Sequence, residues 1–204
     1  MTDYLAPRVF VVDDDTMFRN SLCQMLEGAG LEVENYPNGS TFLADYREDR
    51  PGCLLLDIAM PGMSGLEVQH EVKERGLEIP ILFLTGHGDV PMAVRAVKSG
   101  AVDFLEKPVQ GKMLLDRVRQ ALAIDKERRA CRERVQTERQ HFTRLTTRER
   151  EIMQLLAEGH PNKRIALKLD ISVRTVEVHR AHIMKKLHVK SLPELVRFVA
   201  FIAN

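Results

Sequence analysis

Short apolar runs alternate with longer amphipathic segments through the first half of the chain. The apolar runs are RVFVV (8–12), LEVENY (31–36, the weakest), CLLL (53–56), PILFL (80–84) and VDFL (102–105). The amphipathic segments have helical length and cover residues 16–28, 39–49, 65–75, 89–99 and 112–123. Strands that alternate with helices in this way predict a doubly wound α/β fold, with a five-stranded parallel sheet covered on both faces.

Polar side chains stand where four of these strands end. Asp13 and Asp14 follow RVFVV, Asp57 follows CLLL, Thr85 follows PILFL, and Lys107 comes one residue after VDFL. The carboxyl ends of parallel strands meet at one edge of the sheet, where α/β proteins bind their ligands. We therefore expect three carboxylates, a hydroxyl and an ammonium to converge there.

This set of groups suits phosphoryl chemistry. Clustered carboxylates repel one another unless a cation lies among them, and hard oxygen ligands favour Mg²⁺. An ionised aspartate can attack phosphorus without a general base, and a lysine can neutralise the phosphoryl oxygens. Asp15, beside the pair at 13 and 14, is instead expected to cap the next helix.

Residues 142–204 contain no convincing strand and predict four helices. Thr146 and Glu149 form a capping box before the first helix, and Ser172 caps the third. The second and third helices, NKRIALKL and VRTVEVHRAHIMKKLH, are separated by the short turn DIS. A short helix, a tight turn and a longer helix are the spacing of a helix-turn-helix.

The third of these helices has one apolar face. At roughly 100° per residue, Ile183 and Leu187 lie within about 20° of Val176, so these three face the core. The opposite, polar face can enter a major groove, while neighbouring lysines meet phosphates. The predicted DNA contacts are Arg174, Thr175, Glu177, Val178, Ala181, His182 and Lys185, together with Lys163 and Lys186. His179 and His182 lack the third nearby ligand that a zinc site needs.

The segment 124–141 between the two halves is charged nearly all round. Asp125 and Arg129 form a favourable i, i+4 pair, and the residues are good helix formers. A continuous helix is favoured over a flexible, partly helical tether. Ala130 and Val135 are too sparse to predict a coiled coil.

Composition adds a contrast between the two halves of the 204-residue chain. Residues 1–124 carry 12 Lys/Arg and 19 Asp/Glu, a net charge of −7, whereas residues 125–204 carry 18 and 10, a net charge of +8. An acidic and a basic half predict two domains, and a polyanion is a natural partner for the basic one. No run approaches the roughly 18 apolar residues of a membrane span, and the start lacks a signal peptide. We expect a cytoplasmic protein whose cysteines, Cys23, Cys53 and Cys131, are free thiols.

The motifs VVDDD, LLLDIAMPGMSG, FLTGHGD and GAVDFLEKP together resemble the receiver domain of two-component response regulators, over about residues 6–123. The resemblance implies a flavodoxin-like sheet of order 2-1-3-4-5. It implies that Asp57 accepts a phosphoryl group from a sensor histidine kinase, and that Asp13, Asp14, Asp57 and the backbone carbonyl of Ala59 hold Mg²⁺. It further implies that Thr85 and Phe104 form a switch pair, that Lys107 binds the phosphate, and that the Lys107–Pro108 bond is cis.

Residues 142–200 resemble the LuxR-type helix-turn-helix of FixJ/NarL-type regulators. Pro161 departs from the family pattern, in which a small capping residue is usual, so either Asn162 caps the helix or the helix begins later. In the last helix Leu195, Val199 and Ile202 are candidates for exposed apolar positions. That helix either packs on its own domain or pairs two DNA-binding domains, and the second is favoured.

The predicted domains are a receiver (1–123), a helical linker (124–141) and a DNA-binding domain (142–204). We expect a phosphorylation-controlled transcription regulator that dimerises on promoter DNA, with RNA polymerase as a further candidate partner, and that catalyses only its own phosphorylation and dephosphorylation. The alternatives are a phosphohydrolase and a constitutive DNA-binding protein with a degenerate receiver. A haloacid-dehalogenase phosphatase fits poorly, because Met17 stands where that family requires Thr or Val.

Overall fold

The computed structural model describes residues 6–86 and 100–203. The chain divides into two compact units, residues 1–129 and 130–204. The first unit contains strands β1 (Arg8–Val12), β2 (Glu32–Tyr36), β3 (Gly52–Asp57), β4 (Ile81–Thr85) and β5 (Asp103–Glu106), with helices α1 (Thr16–Gly28), α2 (Gly39–Asp45) and α3 (Gly65–Glu74). Helix α4 (Gly111–Thr143) begins in this unit and includes the predicted linker. The helix predicted over 89–99 lies outside the described residues.

The five strands form a parallel sheet of order β2-β1-β3-β4-β5, which confirms the predicted fold class. In the ladders Val12 lies opposite Leu56, and Asp57 lies opposite Leu84. Thr85 lies opposite Glu106. The last residues of β1, β3, β4 and β5 therefore reach the same edge of the sheet.

The core of this unit has two layers, one on each face of the sheet. In β3 the side chains alternate: Leu54 and Leu56 join the cluster around Phe42, whereas Leu55 joins the cluster that includes Leu114 of α4. All six residues of β3 are buried. A strand covered on both faces must be apolar along its whole length, which is why CLLL carries no polar residue before Asp57.

Helix α2 ends at Asp45, four residues earlier than the predicted segment 39–49. Tyr46 leaves the helix in an extended conformation (φ −64°, ψ 135°). Its ring packs against Phe10 and Phe42, each with centroids 5.2 Å away, inside the core. The burial of one aromatic ring thus overrides the local preference for another helical turn.

The second unit is helical, as predicted, with α5 (Thr147–Ala157), α6 (Asn162–Leu169), α7 (Val173–Lys186) and α8 (Leu192–Ala203). Pro161 occupies the N-cap position of α6 without a side-chain hydrogen bond, and Asn162 is the first helical residue, so Asn162 does not cap it. Among the described residues, no helix has the length and apolar character needed to cross a membrane.

The last helix packs into its own domain more fully than the sequence suggested. Leu195 is completely buried in the core of the second unit, and Val199 and Ile202 pack against that core from partly buried positions. The expectation that these three residues are exposed is therefore wrong. Val196 of α8 is an apolar residue that remains exposed, at 40%.

Candidate functional site

Three carboxylates meet at the edge of the sheet where the strands end. Asp13 follows β1 and is fully buried, Asp57 is the last residue of β3 and is 4% exposed, and Asp14 is exposed. Each offers one oxygen, and the three oxygens lie within 4.8 Å of one another. Hard oxygen donors at this spacing, with one side open to water, fit a Mg²⁺ ion that keeps part of its hydration shell.

Lys107 brings a positive charge into this acidic pocket. Its Nζ lies 2.7 Å from Asp13 Oδ2 and 2.9 Å from Asp57 Oδ1. Burial disfavours the ammonium, but the hydrogen bonds to the two carboxylates outweigh it and raise the pKa of Lys107. Burial also raises the pKa of the Asp57 carboxyl, and the bond from Lys107 offsets only part of that effect. The Lys107–Pro108 peptide bond is cis, the isomer that the resemblance implies.

The loop after Asp57 requires glycine at position 65. A Cβ built on Gly65 would lie 2.2 Å from the backbone oxygen of Asp57. Gly65 N donates to the Ile58 carbonyl at 2.9 Å, and Ser64 with Glu67 forms a capping box that starts α3. The backbone at Gly65 can therefore pack directly against the backbone of Asp57 and Ile58, which fixes the position of Asp57.

Three further predicted residues lie around the pocket. Thr85 ends β4 and is nearly buried, and its hydroxyl donates to the Gly86 carbonyl at 2.9 Å. Phe104 on β5 is 44% exposed, so its ring is not part of the core in this state. Ala59 is exposed, two residues after Asp57 in the chain. Asp13, Asp57 and Lys107 are thus in direct contact, whereas the Phe104 side chain is exposed to solvent.

Helix α1 contributes residues that the sequence reasoning missed. Arg19 is buried and donates to the Asp13 carbonyl at 2.6 Å, which fixes the backbone of the acidic loop. The Lys107 ammonium lies 4.5 Å from the centroid of the Phe18 ring. Asp15 caps α1 as predicted, accepting from the backbone N–H groups of Met17 and Phe18. The sequence signal that could have found Phe18 and Arg19 is their position, one helical turn after the N-cap residue Asp15 and therefore close to the acidic loop.

Helix α7 presents the face that the sequence predicted. Val176, Ile183 and Leu187 are buried in the core of the second unit. The exposed residues on the helix include six of the predicted base-reading positions, Arg174, Glu177, Val178, Ala181, His182 and Lys185. Thr175 is partly buried, and its hydroxyl lies 2.8 Å from that of Ser172, which caps the helix. Lys163 is exposed in the first turn of α6.

Lys186 makes an internal ion pair, which the sequence reasoning did not predict. Its ammonium lies 2.8 Å and 2.6 Å from the two carboxylate oxygens of Glu149, which is buried. Burial by itself raises the pKa of Glu149, but hydrogen bonds from Lys186 and Thr146 outweigh it and lower that pKa overall. Lys186 therefore ties α7 to α5, and its geometry gives no support to the predicted phosphate contact.

Both halves of the chain match known families. Residues 9–119 match the response regulator receiver domain, and residues 143–199 match the bacterial regulatory proteins of the luxR family. The first match covers more than half of the chain. The chain belongs to the response regulators.

Named regulators of this family are similar to the chain over most of their length. Transcriptional regulatory protein FixJ of Rhizobium meliloti is 43% identical over 97% of this chain and 95% of its own. Response regulator protein TodT of Pseudomonas putida is 43% identical over 93% of this chain and 83% of its own. Among solved structures, the response regulator StyR is 48% identical with a TM-score of 0.89, covering 96% of this chain and 98% of that one.

The two matched families together define the class of function. A receiver joined to a luxR-type domain makes the chain a transcription-regulating two-component response regulator. The receiver implies a histidine kinase as partner, and the luxR-type domain implies DNA binding. Receiver domains bind Mg²⁺ at an acidic pocket, and the cluster of Asp13, Asp14 and Asp57 supplies one here.

Proposed function

We propose that Asp57 of this response regulator accepts a phosphoryl group from a sensor histidine kinase, and that the aspartyl phosphate promotes dimerisation and binding of α7 to promoter DNA. The observation that carries the proposal is the position of Lys107, whose ammonium bridges Asp13 and Asp57 in a nearly buried pocket. A cation at that point is placed to stabilise negative charge on a phosphoryl group.

The transfer needs no proton acceptor on this chain. A carboxylate oxygen of Asp57 attacks phosphorus, the P–N bond to the kinase histidine breaks, and the released imidazole nitrogen takes a proton from solvent. Asp13, Asp14, Asp57 and the Ala59 carbonyl would hold Mg²⁺, which supplies charge neutralisation on the phosphoryl oxygens when bound. Lys107 moves from the carboxylates to one phosphoryl oxygen and stays close to Asp57.

Thr85 and Phe104 would carry the conformational change that phosphorylation causes. The Thr85 hydroxyl now donates to Gly86, a bond that it exchanges for one to the phosphoryl group. The movement of Thr85 towards the pocket leaves room for the exposed Phe104 ring to turn inward. The surface of β5 then differs between the unphosphorylated and the phosphorylated conformation. The equilibrium between the two conformations shifts by the difference in the interaction free energy that the phosphoryl group has with each of them.

The DNA-binding step uses the exposed face of α7. Arg174, Glu177 and His182 can reach base edges, Val178 and Ala181 can contact a thymine methyl group, and Lys163 and Lys185 add positive charge near the phosphates. Because charge neutralisation supports this binding, affinity should fall steeply with salt concentration. Under this proposal the chain performs no catalysis beyond its own phosphorylation and dephosphorylation, and RNA polymerase is a further partner at the promoter.

Acetyl phosphate with Mg²⁺ tests the proposal. Wild type should gain one acid-labile phosphate per chain, shift towards dimer in light scattering, and protect discrete sites in genomic footprinting. Asp57→Asn should abolish all three changes, whereas Asp49→Asn, an exposed aspartate away from the pocket, should keep them. Phosphate-independent dimerisation, or multiple turnover of small phosphate esters, would contradict the proposal.

A further inference from the structure

We propose that Phe18 is a positioning residue for phosphoryl transfer, because its ring holds the Lys107 ammonium at the phosphoacceptor. This inference rests on the proposed function of Asp57. The Nζ atom of Lys107 lies 4.5 Å from the Phe18 ring centroid, within the range of a cation–π contact. The same nitrogen donates to Asp13 and Asp57, so among the described residues the ring adds a third contact to two hydrogen bonds.

The backbone fixes where the Phe18 ring lies. Asp15 N donates to Asp13 Oδ1 at 2.9 Å, which joins the start of α1 to the acidic loop. Asp15 Oδ1 in turn accepts from the N–H groups of Met17 and Phe18 at 2.9 and 3.1 Å. The Phe18 ring is partly buried and packs against the core cluster behind β1. One short segment thus brings a carboxylate and an aromatic ring into contact with the same ammonium.

The Lys107 backbone is fixed from the other side of the pocket. Its N–H donates to the Thr85 carbonyl at 2.8 Å, at the end of the β4–β5 ladder. The side chain then has to extend from the end of β5 to Asp13 at the end of β1, and strands β3 and β4 lie between them in the sheet order. A long, flexible lysine side chain loses considerable rotamer freedom in that position. A third contact at its end reduces the number of positions that the ammonium visits.

An aromatic face suits a lysine that has to move during the reaction. A hydrogen-bond acceptor would hold the ammonium in one direction and would compete with the incoming phosphoryl oxygen. A ring face attracts a cation above it without fixing the direction of any one N–H bond, so the ammonium can turn from Asp13 to the phosphoryl group and keep its contact with Phe18. With the ring against its ammonium, the Lys107 side chain is 21% exposed.

The test compares the full-length wild type with Phe18→Leu, Phe18→Tyr, Lys107→Gln and the double variant Phe18→Leu/Lys107→Gln. Leucine keeps an apolar side chain but removes the ring face, and tyrosine keeps the ring. Each protein is mixed with acetyl phosphate and Mg²⁺, and the phosphorylated fraction is followed by intact mass. Phe18→Leu should slow phosphorylation roughly two- to fivefold, the size expected for a partly exposed cation–π contact, and Phe18→Tyr should stay close to wild type.

The double variant separates positioning from packing. If Phe18 acts through Lys107, replacing Phe18 should have no further effect once Lys107 is glutamine. An equal slowing in both backgrounds, or a wild-type rate for Phe18→Leu, would overturn the inference.

A spectroscopic readout does not depend on phosphorylation. The ring should shift the Lys107 side-chain ε-methylene proton resonances upfield in wild type and in Phe18→Tyr, and the shift should vanish in Phe18→Leu. If wild type itself gains no phosphate, the proposed function fails, while a ring-dependent shift still supports the contact. An unchanged shift in Phe18→Leu overturns the contact whatever the phosphorylation result.

Discussion

Replacing Arg129 with methionine is expected to destabilise the receiver unit, because it leaves a buried carboxylate without its cation. Asp125 is only 2% exposed, and its Oδ2 accepts from Arg129 Nε at 2.8 Å and from Gly52 N at 2.9 Å. Arg129 also donates to the backbone carbonyls of Glu48 and Arg50, both at 2.7 Å. Together these bonds attach α4 to the chain that precedes β3.

The magnitude follows from the burial of the pair. Removing one partner of a buried ion pair costs about 3–5 kcal/mol. The Arg129 side chain is 19% exposed, so solvent screens part of the interaction and we expect the lower end, about 3 kcal/mol. For a unit of this size that corresponds to a fall of roughly 9 °C in Tm.

Calorimetry of the full chain measures this change, and hydrogen exchange assigns it to the receiver unit. Arg128→Met is the matched control, since it removes the same charge from the neighbouring residue, whose hydrogen bond to the Glu78 carbonyl is an exposed 3.3 Å contact. The double variant Asp125→Asn/Arg129→Met should recover more than half of the loss, because the buried charge is gone. Equal effects of Arg129→Met and Arg128→Met would refute the reasoning.

Three further predictions concern other parts of the chain. Because the pKa of Glu149 is lowered, its contribution to stability should be complete above about pH 4.5 and lost as the pH falls through its folded value; urea midpoints from pH 7 to 3 should show this loss, and Lys186→Met should flatten it. Asp170→Gly should stabilise the DNA-binding unit by about 1 kcal/mol in the same assay, since Asp170 has φ 51°, and a lower midpoint would contradict this. Gly65→Ala should prevent phosphorylation of Asp57, because its Cβ clashes with the Asp57 backbone, and a normal phosphorylated fraction by intact mass would count against that.

The sequence predicts the sheet and the centre of the pocket for one physical reason. Strands buried on both faces are apolar throughout, so the first polar residue marks the strand end and the ligand-binding edge. Asp13 and Asp57 could be placed together on that ground. Lys107 was placed only by its position near a strand end, because β5 is partly exposed and contains Asp103 and Glu106. The order of the strands came from the family resemblance, since apolar runs carry no information on which strands pair.

The contacts that were missed are tertiary. The pairing of Lys186 with Glu149 joins residues 37 positions apart. Helical periodicity places Lys186 nearer the apolar face of α7 than Lys185, but it does not show that Glu149 of α5 lies beside it. Phe18 has the pattern of an ordinary apolar residue of an amphipathic helix, and its contact with Lys107 depends on how α1 packs against the sheet. The early end of α2 has the same origin, since Tyr46 reaches the core only from an extended backbone.

Two helix ends in the DNA-binding unit rest on non-glycine residues in the left-handed region, Asp170 at φ 51° and His188 at φ 55°. Each such residue lowers the free energy of unfolding by on the order of 1 kcal/mol. A single substitution at either position, outside the predicted base-reading residues, could therefore raise the folding stability of the unit. Substitutions in α7 that change the preferred DNA sequence are expected to lower the stability of the unit. A stabilising substitution at Asp170 or His188 would offset that loss and keep such variants folded.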